Sequence, residues 1–432
     1  MVRATGCMDS VTHTATESTA MSVDAGPASG SGAASDKLTG AILATVVFVG
    51  GIAPLATDMY VPAFPLVATD LHASAAQVQL SLTTFFVGMA LGQLVGGPVS
   101  DQRGRRKPLL AALIILTLAS LACAWSPSIP IMLAARFVQG LSGGWAMVIA
   151  RAVVVDLASG VHLVRSLNVV AGVGGIAPVV GPLMGGLILL VSHWRVSFFV
   201  LAAFAAAMTV AVAFAVPETL PPERRHAGGL GRLVHAAGQV LGRPRFVAYL
   251  VVMAFSMGVT FAYVATSAFI LQSMNGLSPM TYSILFAGNA VGLALATLVA
   301  GKLAGRVRTR TVITIGLVTT GAAGLLLLAG AMWWGMPLWV AIVGFLVLMS
   351  AQGLVAANAG ALASNEVPEH PGTGSAVLGF LQWCMAGVIA PLAGLGGDRT
   401  AVPMAVIILV LTAASLTAIV LTRTSRRPVA AA

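Results

Sequence analysis

Leu94–Leu109 reads LVGGPVSDQRGRRKPL, and 204 positions later Leu298–Ile313 reads LVAGKLAGRVRTRTVI. Each stretch leaves an apolar run through small residues, turns over in a short basic segment, and enters another apolar run. The second copy has Gly305 where the first has Asp101. Two such turns in corresponding places suggest that the chain is built from two related halves in parallel orientation. That arrangement is the sign of a transporter whose site lies between the halves.

Outward from these turns, the composition sets the solvent. The 432-residue chain is 58% hydrophobic and only 8% charged, a balance that an ordinary water-soluble domain does not carry. A bilayer core of roughly 30 Å needs about 20 apolar residues per helix. Runs of that kind fall at 39–61, 78–98, 108–126, 129–152, 166–190 and 196–216, then at 246–271, 280–301, 311–332, 336–361, 374–395 and 401–422. The expected fold is an all-α membrane protein with 12 transmembrane helices in two pseudo-symmetric six-helix bundles, 37–216 and 246–422. A polar linker at 217–245 joins them, and tails at 1–36 and 423–432 flank them. The first tail is rich in Ser, Thr, Ala and Gly with no apolar signal segment, so it reads as disordered and cytoplasmic, and Met8 or Met21 is an equally good start.

The net charge of +10 does not read as a nucleic-acid surface, because the basic residues lie in short loops rather than along one face. One side collects Lys37, the run Arg103, Arg105, Arg106 and Lys107, then Arg151, Arg165, the linker arginines, Lys302 with Arg306, Arg308 and Arg310, and Arg423, Arg426 and Arg427. The other side has Arg195 and Arg399. The positive-inside rule therefore places both termini in the cytoplasm. Cys7, Cys123 and Cys384 are too scattered for a disulfide framework or a thiolate metal site. No metal or cofactor is expected.

Asp58 and Arg136 are the ionisable residues that call for an explanation inside the apolar spans. Arg136 costs about 2.5 to 3.5 kcal/mol to insert at a helix centre, so it belongs against a cavity or a partner unless it lies near the outer end and snorkels. Gln139, Gly140 and Gly143 share its helix face. Asp58, within GIAPLATDMYVPAFP, is the acid placed inside a span, and it reads either as a protonation site or as a solvated helix-end acid. Counting about 1.5 Å per residue from position 40 places it near the outer surface. Pro54, Pro62 and Pro65 would kink the helix, and a continuation past them would bring Asp58 deeper.

The loop GQLVGGPVSDQRGRRK at 92–107 resembles the signature loop between the second and third helices of the major facilitator superfamily. That resemblance implies a conformational latch on the cytoplasmic side, made by Gly97, Asp101, Arg103, Gly104, Arg105 and Arg106. Physics agrees, since an acid at a helix end among cations gains energy that can differ between two conformations. The segment RFVQGLSGGWAMVIARAVVVD is similar to the family's fourth-helix motif, whose arginine, here Arg136, is linked to proton coupling. AGVGGIAPVVGPLMGGLI resembles the motif of antiporters in this superfamily, with Gly174, Pro178, Gly181, Pro182, Gly185 and Gly186 forming a flat packing face. Position 177 is alanine where that motif often has glycine. TDMYVPAFPLVATDL, with later segments in the seventh, eighth and eleventh runs, resembles the Bcr/CflA drug-resistance branch.

The resemblance implies a monomeric, proton-coupled antiporter in the bacterial inner membrane that exports small organic compounds, with Asp58 and Arg136 coupling the protons. An apolar site with a few placed polar groups would draw on Tyr60, Gln139, Phe261, Tyr263, Phe269, Asn289, Asn358 and Gln382, each of which reads equally as helix packing. The rival is an uptake symporter, which would also keep Asp58 and Arg136. A remote alternative is an intramembrane serine hydrolase, because GLSGG at 140–144 fits G-x-S-x-G. That enzyme needs a base near Ser142, and the seven histidines fall in the tail, in loops or at span ends.

Overall fold

A computed structural model describes residues 38–225, 237–367, 369, 371–397 and 399–424. The tail expected at 1–36, the middle of the linker and most of the tail expected at 423–432 lie outside the described residues. Twelve long helices follow one another among them: α1 Gly40–Asp70, α2 Ala75–Arg103, α3 Arg106–Ala124, α4 Ile129–Leu157, α5 Gly160–Val191 and α6 Arg195–Ala215. The second set is α7 Pro244–Met274, α8 Pro279–Leu303, α9 Thr309–Trp333, α10 Leu338–Asn365, α11 Pro371–Ala393 and α12 Val402–Thr424. Eleven of them are long and apolar enough to cross a bilayer, and α5 has a described apolar stretch at Ile176–Val191. The apolar runs thus become the expected spans, most of them extended by a few residues at their ends.

Local chemistry sets those ends. Ser74 caps α2 in a capping box with Gln77, and Ser278 Oγ accepts from Thr281 N at 3.1 Å to start α8; each satisfies amides that the first turn leaves orphaned. Gly104 at φ +89 stops α2, a conformation that a Cβ resists. In the second half the turn comes earlier, after Leu303, with Gly305 at φ +80. Gly305 therefore performs the turning role of Gly104, and α2 runs on to hold Asp101 on a helix.

The first and seventh helices are interrupted at corresponding places. In α1 a regular helix ends at Asp58, a 3-10 turn holds Val61–Ala63, and a helix resumes at Phe64–Asp70. Pro62 and Pro65 withhold the amides a continuous helix would need. Asp58 consequently has twelve further residues of this span beyond it and is 6% exposed. Depth counted along an unbroken helix put it too near the surface. In α7 the helix loosens at Phe269–Met274 into a π turn.

Close glycine contacts bind the helices within each half. A Cβ at Gly88 or Gly92 of α2 would overlap the carbonyl of Phe137 or Leu141 on α4, and one at Gly140 or Gly144 would overlap that of Phe85 or Met89. Gly353 of α10 stands in the same relation to the Leu293 carbonyl of α8. Small residues let backbones approach where lipid supplies no hydrophobic drive between helices. The outward faces carry large apolar side chains such as Phe48, Leu118, Phe214, Leu298 and Leu325, which only a bilayer would cover.

Candidate functional site

The interruption in α1 gathers the acidic centre of the molecule. Asp58 Oδ1 accepts from Thr57 Oγ1 at 3.1 Å. The glycine face of α5 closes over it, because a Cβ on Gly181 would lie 3.0 Å from the Asp58 Cβ and one on Gly185 would overlap the Met59 carbonyl. Gly186 faces Ser283 of α8 across the seam between halves. Gly174 falls among the positions whose side-chain surroundings are outside the description; Pro178 and Pro182 lie inside α5. From the second half, Tyr263 and Tyr282 come within electrostatic range of Asp58. Asn289 Nδ2 donates to Tyr263 Oη at 2.9 Å, and Ser267 Oγ and Tyr282 Oη are 3.0 Å apart. A buried carboxyl thus sits under the α5 glycines, close to the seam that Gly186 and Ser283 form between the halves.

Arg136 is fully buried in the same half and is not ion-paired with Asp58. Its Nη1 donates to the Ala56 carbonyl at 3.0 Å and to Gln139 Oε1 at 2.6 Å, and Gln139 Nε2 donates to Ser120 Oγ at 2.8 Å. The guanidinium carbon lies 4.4 Å from the Phe85 ring centre, 5.1 Å from that of Tyr60 and 5.8 Å from that of Phe198. Ring faces and a carbonyl therefore hold the cation in place of a carboxylate. Nε and Nη2 have no protein acceptor. The snorkelling alternative is excluded by this burial.

The seam is sealed on the Asp58 side. Gln79 Nε2 of α2 donates to the Ala265 carbonyl of α7 at 3.0 Å, and Gln272 Nε2 of α7 donates to the Pro62 carbonyl of α1 at 3.0 Å. Both acceptors lie at the helix interruptions. Phe64 and Phe269 pack between them with ring centres 6.0 Å apart. A depression lined by Pro65, Ser74 and Gly394 lies beyond this seal. On the other side, toward the α2–α3 turn, a cavity of about 320 Å³ lies between α2 and α4 of one half and α7, α10 and α11 of the other. Gln93, Arg151, Met253, Ser375, Gln382 and Trp383 are among its walls. Phe86, Phe261 and Trp383 cluster at its inner limit, the closest pair with ring centres 4.4 Å apart.

The expected pocket residues scatter over four places. Gln382 lines the cavity and Phe261 backs it. Tyr60 and Gln139 belong to the Arg136 cage, Tyr263 and Asn289 to the hydroxyl cluster, and Phe269 to the seal. Asn358 donates to the Leu354 carbonyl of its own helix. Arg151, read from the sequence as a topology signal, is in the cavity wall. Ser142 Oγ donates back to the Val138 and Gln139 carbonyls at 2.9 and 3.0 Å, which disposes of the nucleophile reading.

The basic turn makes a compact cluster. Arg105 binds Asp101 Oδ1 at 2.5 Å, Ser100 Oγ at 2.7 Å and Asp156 Oδ2 at 3.0 Å. Burial disfavours its charge, but Asp156 and Asp101 outweigh that effect and raise its pKa. Glu218 after α6 accepts from the Arg105 and Arg106 amides at 2.7 and 3.3 Å and fills the space a Gly104 side chain would need. Arg106 Nη2 reaches the Ala213 carbonyl. These contacts stay within the first half and the start of the linker, which Glu218 supplies. Arg103 is exposed, and a Cβ at Gly97 would meet open space; the close-packed glycine is its neighbour Gly96, against Trp145.

Two helical bundles sealed together at one end and holding a cavity at the other define a membrane transporter rather than an enzyme. A profile of the Major Facilitator Superfamily matches residues 46–391, and the chain belongs to that family. A Bacillus subtilis transporter of this type, YdgK, is 37% identical over 83% of the chain and 89% of its own length. The bicyclomycin resistance protein homolog of Haemophilus influenzae is 28% identical over 85% and 92%, and multidrug resistance protein D of Escherichia coli is 29% identical over 82% and 88%. These relatives agree with the Bcr/CflA resemblance. The fold matches that of a bacterial homologue of the lysosomal transporter Spinster in an inward-facing, unoccupied conformation, with a TM-score of 0.71 at 16% identity over 90% of this chain and 98% of that one.

Proposed function

We propose that the protein exports small organic compounds in exchange for protons by alternating access. It works as a monomer in the bacterial inner membrane, with the basic loops and both termini in the cytoplasm. The observation that carries this reading is Asp58: a carboxyl withdrawn from water close to the seam between the halves, with no cation paired to it. In a low-dielectric site an unpaired carboxylate is costly, so the proton is favoured there while the seal is closed. Opening the seal hydrates the site and changes that balance. Proton occupancy and the closed seal thus favour each other, which is the differential interaction a coupled transporter requires. The unused Nε and Nη2 of Arg136 would receive the carboxylate once it ionises. Asp101 and Arg105, confined to the first half in this state, would engage the second half when the cytoplasmic side closes. The direction of transport is supported by the relatives named for drug resistance and by the α5 glycines packed on Asp58.

The test uses purified protein in proteoliposomes with an imposed pH gradient. Asp58→Asn, which resembles the permanently protonated acid, is expected to abolish gradient-driven movement while still permitting exchange of cargo for cargo. Full gradient-driven export by Asp58→Asn would refute the assignment.

A further inference from the structure

Arg151 sits six residues before the end of α4 and is exposed. It forms part of the wall of the cavity between the halves and pairs with none of the described acids. Two of the acids near this end of the bundle are engaged elsewhere: Asp156 holds Arg105 and Thr219, and Glu369 holds Arg243. Among the described residues, no Asp or Glu lines the cavity. The polar part of the same cavity wall is made of uncharged hydrogen-bonding groups, Gln93, Ser364, Ser375 and Gln382. The Nε2 amide of Gln93 is buried with no protein acceptor, an unfilled donor that is costly until something accepts from it. Across the cavity stands Trp383, stacked on Phe86.

From this arrangement we infer that the cargo is a small organic anion with an apolar, ring-sized body, its acidic group bound by Arg151 and its body against Trp383. The inference rests on the export reading above and narrows it to a substrate class. A guanidinium with neighbouring donors and no competing carboxylate favours carboxylates and related acids through charge-assisted bonds. The same wall repels a lipophilic cation, since its single fixed charge is positive and no acid is present to compensate.

A matched series separates charge from shape: 1-naphthoate, 1-naphthamide and 1-naphthylmethylammonium, titrated against the purified full-length protein by tryptophan fluorescence without any gradient. Naphthoate is expected to bind tightest and the ammonium weakest. Arg151→Gln should weaken naphthoate on the order of tenfold or more while changing naphthamide little, and Arg151→Lys should recover part of the loss. Equal loss for all three probes would reduce Arg151 to a packing role and overturn the inference, as would preferred binding of the ammonium or binding of none. Loss of proton-driven naphthoate export with intact, Arg151-dependent binding would instead count against the antiport reading and leave the charge preference standing.

Discussion

Removing the two glutamine bolts should open the seal in a measured way. In α7 the amide of Phe269, which would reach the Ala265 carbonyl in a regular helix, bonds Thr266 instead; Gln79 supplies a donor to Ala265, and Gln272 does the same for Pro62. Intramembrane side-chain hydrogen bonds average about 0.6 kcal/mol and reach about 1.7. Each bolt is therefore worth about 1 kcal/mol, or roughly a fivefold change in the ratio of sealed to open states. The two lie on separate helices, so their effects should nearly add. Gln79→Ala combined with Gln272→Ala then shifts the ratio by roughly 25-fold, on the order of 2 kcal/mol. Spin labels at the exposed positions Thr69 and Leu395 flank the depression beyond the seal, and their distance distribution by electron–electron double resonance reports the open fraction directly. A growing long-distance population in each single variant, larger in the double, is the expected result. An unchanged distribution in the double variant, with the protein still folded, would show that the bonds exist equally in both states and that the seal is held by packing alone.

Other substitutions test neighbouring parts of the argument. Gly185→Ala drives a methyl into the Met59 carbonyl and should cost about 1 to 3 kcal/mol, lowering the melting temperature and disturbing proton-driven transport, whereas Gly97→Ala meets open space and should leave the melting temperature unchanged. Arg105→Ala strands Asp101 and Asp156 and should destabilise the first half by about 1.5 to 3 kcal/mol, read as lower thermal stability in detergent; an unchanged melting point would reduce this cluster to a surface ornament. Arg136→Lys keeps the charge but loses the planar group that spans the Ala56 carbonyl, Gln139 and three rings, so gradient-driven transport should fall sharply while thermal stability falls less. Ser142→Ala should leave transport intact, since its hydroxyl only bonds its own helix.

The number and order of the spans were legible because each is a long apolar run and the connections on one side collect nearly all the basic residues. Arg136 and Asp58 were legible for the opposite reason: an ionisable group in such a run has to be accommodated by something. Depth was not, because the breaks after Asp58 and at Phe269 change how far the chain travels per residue. Nor was the division of labour among Tyr60, Gln139 and Gln382, since three polar residues on apolar helices look alike until the helices are placed. Gln79 and Gln272 carry no charge and sit at the edges of the runs 78–98 and 246–271, so nothing in the sequence sets them apart from ordinary helix-end residues. Arg151 was hidden by its company, one basic residue among many on the same side.

The separation between Asp58 at the seal and Arg151 in the cavity carries an energetic consequence. With the proton on Asp58 and the cargo on Arg151, as proposed, the two would not contend for one charge, and their exchange would be governed by which way the bundles lean rather than by displacement at a shared group. If the cargo leaves as a monoanion while one proton enters, each cycle carries two charges across the membrane, and 100 mV contributes about 4.6 kcal/mol, twice the value for a single charge. Such a pump draws on voltage as well as acidity, and it would keep running in a cell whose internal and external pH are equal.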